Sequence, residues 1–176
     1  MADITFNTTA GQTIGRELLI AYLNTGTAAA PVWSAIGKRV EDSSEEMDWS
    51  QETLQDILGD TYTTMKKPII TQSFDPIPLD SGDAAAVKMW NLGVKDHDAQ
   101  ALANQDMMIG HFYAESGEAM FAERYSSCAI AITGIGGEGG GNLTISSEIT
   151  YGGTRTLGTV KKGSNGAIEF AAAKGA

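Results

Sequence analysis

The sequence predicts a mainly β fold: a β-sandwich or barrel with one flanking α-helix and a flexible N-terminal arm. Apolar and polar residues alternate through the second half of the chain, which is typical of strands with one buried face. A clear helical pattern occurs in one segment only, so strands and helices do not alternate as they do in a parallel sheet. The length of 176 residues and the hydrophobic fraction of 42% favour one ordered domain.

The first elements are short strand candidates separated by polar segments. Residues 1–15 are small and polar, and we expect them to form the flexible arm. The apolar run of residues 17–23 favours a buried strand, although its pattern also fits a helix. After a linker at residues 25–31, residues 32–40 resume a strand pattern.

The next segment is acidic and leads to the second of the three tryptophans. Residues 41–46 (EDSSEE) are predicted to be a mobile loop, after which Met47 and Trp49 alternate with polar residues as on a half-buried strand. Together with Trp33 and Trp90, which are far apart in sequence, Trp49 is expected to anchor the core or an interface.

Residues 53–59 allow two interpretations. Their apolar residues have helical spacing, but the short length and the Gly59–Asp60 ending favour one arm of a hairpin. A strand is predicted at residues 68–74, and the Asp-Pro-Ile-Pro sequence at 75–78 is expected to end it.

The helix is predicted between residues 81 and 93. Ser81 or Asp80 could cap its N-terminus, and most of the following residues are good helix formers. One apolar stripe has the spacing of a helix face: Ala86, Met89, Trp90 and Gly93. Residues 98–103 could add a further turn.

From Met107 onward the chain is predicted to be β. Strands are expected at residues 107–113, 120–133, 143–151, 154–161 and 167–170. Cys128, Ile130 and Ile132 share one face of the long strand. We interpret Gly152-Gly153 as a two-residue hairpin turn, so that the next strand runs back along the previous one.

The glycine-rich stretch at residues 134–142 (GIGGEGGGN) has the spacing of a dinucleotide-binding loop. That function requires a helix directly after the loop, because the phosphate binds at a helix N-terminus. A strand pattern follows instead, and the charge of Glu138 opposes a phosphate. The stretch is therefore predicted to connect two strands.

The composition excludes several classes of function. The net charge of −10 and the pI of about 4.5 oppose binding to nucleic acid, which relies on basic residues. The single cysteine, Cys128, allows no internal disulfide and no cysteine-based zinc cluster. The sequence has no visible signal peptide and no apolar run that approaches a membrane span, so we expect a cytoplasmic chain without membrane contact.

The titratable residues lack the patterns of a catalytic or metal-binding site. His97 and His111 lack the spacing of a metal pair, and Cys128 is expected to point into the core rather than act as a nucleophile with His111. The acidic pairs lack the pattern of a calcium loop and are interpreted as a solvated surface: Glu41-Asp42, Glu45-Glu46 and Asp96/Asp98. We predict no catalytic, cofactor-binding or metal-binding residues, and no enzyme.

The sequence resembles the major tail (tail tube) proteins of long-tailed bacteriophages. The resemblance rests on residues 32–44 (VWSAIGKRVEDSS), 45–49 (EEMDW), 55–61 (QDILGDT), 68–75 and 142–160. It implies a tail-tube fold that divides into the arm 1–15, a single β-rich domain 16–171 and a C-terminal tail 172–176.

The resemblance also implies a structural function in the virion tail, after assembly in the host cytoplasm. Six subunits would form a ring, and stacked rings would form a tube through which DNA is ejected. The implied partners are other copies of the chain, a tape-measure protein in the lumen, and tail terminator or tip proteins. Six copies of charge −10 carry −60 per ring, so an acidic lumen would repel DNA in transit.

Three segments are predicted to join rings because they are mobile alone and could become ordered on assembly: residues 1–15, 41–60 and those after Phe170. One alternative is the tube of a contractile tail, a phage-tail-like particle or a secretion machine. Another is a carbohydrate-binding β-sandwich, which would need exposed aromatic clusters, whereas the 7% of aromatic residues fall mostly within strands.

Overall fold

Antiparallel strands dominate the computed structural model, which describes residues 4–117, 119–163 and 166–173. The strands are β1 Thr5–Phe6, β2 Leu19–Asn24, β3 Trp33–Ala35, β4 Glu45–Asp48, β5 Glu52–Gln55, β6 Thr61–Thr64, β7 Ile69–Pro78, β8 Gln105–Ser116, β9 Ala119–Gly136, β10 Thr144–Tyr151, β11 Arg155–Lys162 and β12 Ile168–Ala172. The helices are α1 Ala84–Trp90 and α2 Ala99–Leu102, joined by a π-helical turn at Asn91–Lys95, and a 3₁₀ turn at Arg16–Leu18 precedes β2. The mainly β prediction is confirmed.

The strands form two sheets that share β9. The first sheet has the order β3-β2-β8-β9-β11-β12, with β1 also paired to β8, and the second has the order β9-β10-β7-β4. The first part of β9 pairs with β8 and β11, while its later part, Ala129–Gly136, pairs with β10. In the described structure, β5 and β6 form a separate two-stranded sheet.

Gly152 and Gly153 form a corner rather than the predicted hairpin turn. β10 and β11 both run antiparallel to β9, so the chain continues along β9 from one sheet to the other. A Cβ on Gly153 would lie 2.8 Å from the backbone nitrogen of Ser127, and one on Gly152 would lie 2.8 Å from its carbonyl oxygen. The glycines are needed because the backbone of β9 approaches closely where strands change sheets.

The main core lies between the two sheets. Alternate residues of β2, β8, β9 and β10 point into it and are almost fully buried, as are three residues of α1: Ala85, Ala86 and Met89. Cys128 and Ile130 belong to this core as predicted, and Ile132 packs against it. Gly93 allows the helical segment to approach β9, since a Cβ there would lie 2.4 Å from the Ile132 side chain.

The helix is capped by a residue other than those predicted. Asp83 is the N-cap of α1, and its carboxylate accepts a hydrogen bond from the Ala86 N–H at 3.0 Å. Asp80 instead accepts from the Gly82 N–H in the preceding turn. The additional turn predicted at residues 98–103 is present as α2, where Asp98 provides the cap.

β7 continues through the segment that was expected to end it. Asp75 and Pro76 lie opposite Ser146 at an irregularity in the β7–β10 register, and the strand resumes as far as Pro78. β4 covers only the first part of β7, so the prolines face an open edge where no hydrogen-bond donor is required. The Ser146 hydroxyl donates to the Asp75 carboxylate across the irregularity.

Two further expectations need correction. The strand predicted at residues 32–40 is limited to β3, because Gly37 (φ 100°) and Arg39 (φ 64°) turn the chain. Met47 and Trp49 are 52% and 44% exposed, so this segment is an exposed edge rather than a half-buried strand.

Candidate assembly surface

A hairpin arm, residues 49–67, stands apart from both sheets. It consists of β5, β6 and the turn between them, and the Lys66 N–H donates to the Trp49 carbonyl at 3.0 Å at its base. Every residue of both strands is exposed. An isolated two-stranded hairpin is marginally stable in water, so packing against another molecule would stabilise the arm.

The two faces of the hairpin arm differ in chemistry. Leu54 and Tyr62 are directly opposite each other on one face, where they are 64% and 56% exposed. Thr53 and Thr63 are opposite each other on the other face, with their hydroxyl oxygens 3.4 Å apart. The arm therefore has one face suited to apolar contact and one suited to water.

The tip of the arm is an ordered turn held by Asp56. One oxygen of its carboxylate accepts from the N–H groups of Leu58 and Asp60 at 2.9 Å each, and the other accepts from the Tyr62 hydroxyl at 3.1 Å. These bonds, led by the one from Asp60, lower the pKa of Asp56. Ile57 and Leu58 are left 102% and 83% exposed.

Exposed apolar side chains concentrate on this part of the chain. Seven of the fifteen large hydrophobic residues that are exposed in the described structure lie between residues 47 and 65: Met47, Trp49, Leu54, Ile57, Leu58, Tyr62 and Met65. Single exposed hydrophobic residues are normal, but a contiguous group marks an interaction site. The arm is therefore the strongest candidate for contact with another molecule.

A chain of hydrogen bonds ties residues 43–45, which lead into β4 and which we call the root of the arm, to the core. The Tyr151 hydroxyl donates to the Gln72 side-chain oxygen at 2.6 Å, and the Gln72 amide donates to the Ser43 hydroxyl at 3.1 Å. Ser43 in turn donates to the Ser73 carbonyl, and its own carbonyl accepts from Arg16. These contacts fix the segment that leads into β4.

A buried ionic cluster lies beside this root. The Glu123 carboxylate accepts from Tyr125 at 2.7 Å and Arg155 at 2.6 Å, and it lies 3.1 Å from His111 Nε2. Burial raises the pKa of Glu123, but the bonds from His111, Arg155 and Tyr125 outweigh this and bring its pKa down to about 2. The cluster therefore holds an ionised carboxylate inside the fold.

Glu45, the first residue of β4, faces the same cluster. Its Oε1 atom is buried and has no hydrogen-bond partner among the described residues. Burial raises the pKa of Glu45, Glu123 reinforces this effect, and His111 and Arg16 oppose it. The root of the arm thus contains a carboxylate in an environment that disfavours its charge.

The residues considered for nucleophilic chemistry are not brought together. Both ring nitrogens of His111 have partners, since Nδ1 lies 2.9 Å from the Tyr113 hydroxyl. Cys128 is fully buried, and burial raises the pKa of its thiol to about 11. A thiol in this environment is a poor nucleophile.

The prediction of a solvated surface is wrong for Glu45, because its Oε1 atom is buried beside the Glu123 cluster. The other acidic candidates are exposed as predicted: Glu41, Asp42, Glu46, Asp96 and Asp98. His97 is exposed and has a positive φ of 49°. Residues 134–142 span the end of β9 and the connection to β10, so the chain continues from strand to strand there and no helix follows. Within the described residues, no group of three or more His, Cys, Asp or Glu side chains could hold a metal ion.

The outward face of the first sheet carries a second apolar cluster. Its buried members alternate with those of the main core: Tyr22, Trp33, Met108, Ala122 and Val160. Aromatic rings cover glycines here, since a Cβ on Gly158 would lie 2.6 Å from the Phe170 ring. Half-buried apolar side chains remain at its periphery, among them Phe112 and Met120.

Neither the Glu123 cluster nor the outward apolar face was predicted from the sequence. Glu123 lies two residues before the buried Tyr125, so alternation alone places it inside the fold. Its partners His111 and Arg155 come from β8 and β11, and only the strand pairing brings them together. The alternation of residues along β9 was the sequence signal that could have placed the Glu123 carboxylate inside the fold.

No protein-family model matches the chain, and no curated protein is significantly similar to it. Solved structures with a related chain path include the extended PVC sheath-tube complex of an extracellular contractile injection system, at 11% identity and TM-score 0.47, covering 86% of this chain and 95% of that one.

Two further solved chains resemble this one to a similar degree. The anti-feeding prophage cap (AFP tube terminating cap) has 14% identity and TM-score 0.47, covering 87% of this chain and 95% of that one. The extended PVC sheath/tube terminator has 11% identity and TM-score 0.48, covering 85% and 99%. Among the described residues, no helix is long and apolar enough to cross a membrane.

Proposed function

We propose that this protein is a non-enzymatic structural subunit that assembles with copies of itself into a tube of stacked rings. The hairpin arm carries this proposal, because it is ordered at its tip, apolar on one face and paired with no other strand among the described residues. A surface of this kind loses its exposed apolar area when a second copy covers it.

Open sheet edges support self-association as well. β3 and β12 end the first sheet, and β4 ends the second, so each subunit offers backbone hydrogen-bonding groups at these edges. Such edges favour strand pairing between chains unless they are covered. Neighbouring subunits in a ring would cover them.

The proposal includes two settings for the same kind of tube. One is the tail of a long-tailed bacteriophage, where hexameric rings would enclose a tape-measure protein and later conduct DNA. The other is the tube of a contractile tail, phage-tail-like particle or secretion machine. In either setting the net charge of −10 per subunit would keep a nucleic acid in transit from adhering to the wall. Terminator or tip proteins would close the tube ends.

Self-assembly is tested first on the unmodified chain. Purified protein is expected to form rings or tubes as its concentration rises, measured by light scattering and seen by negative-stain electron microscopy. A chain that stays monomeric at all concentrations and salt conditions would contradict the proposal.

The arm's part in assembly is tested by the variant Ile57→Ser with Leu58→Ser. It removes apolar side chains that make no contribution to the core, so the subunit should keep its thermal stability. The concentration needed for assembly should rise by about tenfold or more, since ~1.4 kcal/mol of contact energy is tenfold in an equilibrium constant. Thr53→Ser with Thr63→Ser, on the opposite face of the arm, is the matched control and should assemble normally.

A further inference from the structure

The tip of the hairpin arm has a charge as well as an apolar surface. Ile57 and Leu58 lie between two acidic residues, Asp56 and Asp60. Asp56 is engaged in holding the turn, whereas Asp60 contributes only its backbone to the bonds described. The surface that receives this tip should therefore combine apolar side chains with positive charge.

Four hollows lined by described residues differ in their charge. The largest, of about 510 Å³, has two basic and three acidic residues on its wall: Arg16, Lys38, Glu17, Glu41 and Asp42. One of about 160 Å³ contains Glu46 and Glu148, and one of about 330 Å³ contains Arg124 and Glu169. Two of these are net negative and one is neutral, so none of the three attracts an acidic tip.

The fourth hollow has the required combination. It measures about 350 Å³ and is lined by Phe112, Ala119, Met120, Val160, Lys161 and Lys162. Its apolar walls belong to the outward face of the first sheet. Both lysines are exposed, and neither ammonium forms an ion pair with a carboxylate of the described residues.

The hollow exists because strand pairing is interrupted at its side. The register of β8 against β9 shifts between His111 and Glu115, so Phe112 lies on a segment that does not pair with β9. On the other side, Val160 and Lys162 lie on the same face of β11. The interruption leaves Phe112 and Met120 only partly covered.

The arm and the hollow belong to different parts of the subunit. The arm leaves from β4 and β7 at the edge of the second sheet, whereas the hollow faces outward from the first sheet. The residues from Trp49 to Ile57 span about 26 Å at ~3.3 Å per residue, so the tip can lie well away from the sheets of its own subunit.

We propose that the hairpin tip of one copy docks in the Phe112–Met120–Lys162 hollow of the next. Ile57 and Leu58 fill the apolar space, and Asp60 lies against the lysines. Because two different patches meet, the contact is heterologous and repeats from copy to copy, as a growing tube requires. This inference rests on the proposed self-assembly and names the receiving surface.

Cross-linking between two differently tagged full-length variants tests the contact directly. One carries Leu58→Cys and the other Met120→Cys, and Cys128 stays unreactive because it is fully buried. A short bis-maleimide should yield about tenfold more mixed dimer from this pair than from controls, because docking raises the effective concentration of the two thiols. Thr63→Cys replaces the tip variant in one control, and Lys38→Cys, on the largest hollow, replaces the Met120 variant in the other.

Charge reversal provides an independent measurement. Lys161→Glu with Lys162→Glu should raise the assembly concentration by about tenfold, because acidic groups then face an acidic tip. Adding Asp60→Lys to that variant should recover most of the loss. Lys67→Glu, at the base of the arm, changes a lysine to glutamate outside the hollow and should have little effect.

The outcomes separate this inference from the proposed function. Assembly with preferential cross-linking to Lys38→Cys, or without any effect of charge reversal, would overturn the hollow as the docking site and leave self-assembly intact. Absence of assembly in the unmodified chain would overturn both. Cross-linking at Met120→Cys together with charge rescue would establish the contact.

Discussion

Two carboxylates in one cluster have pKa values shifted in opposite directions. Glu123 has three hydrogen-bonding neighbours, and they stabilise its charge despite burial. Glu45 is also largely buried, but its Oε1 has no partner in the described structure. The difference is one of hydrogen bonding rather than of burial, and it gives the two residues opposite effects on stability.

Replacing Glu45 with glutamine should stabilise the subunit. At pH 7 the change removes a charge that burial disfavours, with an expected gain of about 1 kcal/mol, or ~2–4 °C in Tm. Because the folded pKa of Glu45 is raised, the gain should be full above that pKa and fade as the pH falls toward its unfolded value of 4.5. Thermal unfolding of the variant and of Glu46→Gln, an exposed neighbour, measures this. A loss of stability in Glu45→Gln would contradict it.

Replacing Glu123 with glutamine should have the opposite effect. The folded pKa of about 2 lies below the unfolded value of 4.5, so ionised Glu123 stabilises the fold above pH 4.5, and this contribution is lost as the pH falls through 2. The variant should lose about 3 kcal/mol at pH 7 and much less at pH 2. Urea unfolding at several pH values checks it, and an equal loss at all pH values would show that shape rather than charge matters.

At the scale of elements, the corner at Gly152-Gly153 decides how the two sheets are joined. The strands on either side of it, β10 and β11, follow the same partner strand, and the close approach to Ser126 and Ser127 leaves no room for a side chain. The glycine pair therefore serves to change sheets.

Gly153→Ala should destabilise the subunit by about 2 kcal/mol or more, because φ is 73° and the added Cβ would lie 2.8 Å from the Ser127 nitrogen. Gly139→Ala is the matched control, since a Cβ there has nothing within 4 Å. Denaturant unfolding compares the two variants. Equal stabilities would mean that β9 can shift away at the corner without cost.

The sequence predicted local elements better than their partners. Alternation from Leu143 to Tyr151 identified β10, because it is set by nearby residues. Short length with Gly59 predicted one strand of a hairpin at residues 53–59, but that strand ends at Gln55 and the turn to β6 follows it. The glycine pair at 152–153 was misread as a hairpin turn, since hairpins and corners use the same residues and only the distant β9 distinguishes them. The hollow was not predicted for the same reason: Phe112, Met120 and Lys162 belong to three different strands, and only the fold brings them together.

At the scale of the whole molecule, apolar residues are concentrated in three places. The main core lies between the sheets, the second cluster covers the outward face of the first sheet, and the arm holds the largest group of exposed apolar residues. A lone subunit leaves the arm and the outward hollow open. If copies stacked in one direction, the arm of each copy would cover the hollow of the next, and one repeated contact would bury both surfaces.

The sharing of β9 by both sheets affects the order in which a newly made chain becomes ready to associate. Residues 49–67 leave the ribosome early, but their base is held by β4 and β7, which depend on β10 and through it on β9. Synthesis proceeds from the N-terminus, so the arm remains unsupported until residues up to 151 have been made. The receiving hollow needs β11 and is completed later still. If the proposed contact forms, chains still being synthesised would lack the supported arm and the completed hollow, and assembly would wait for finished subunits.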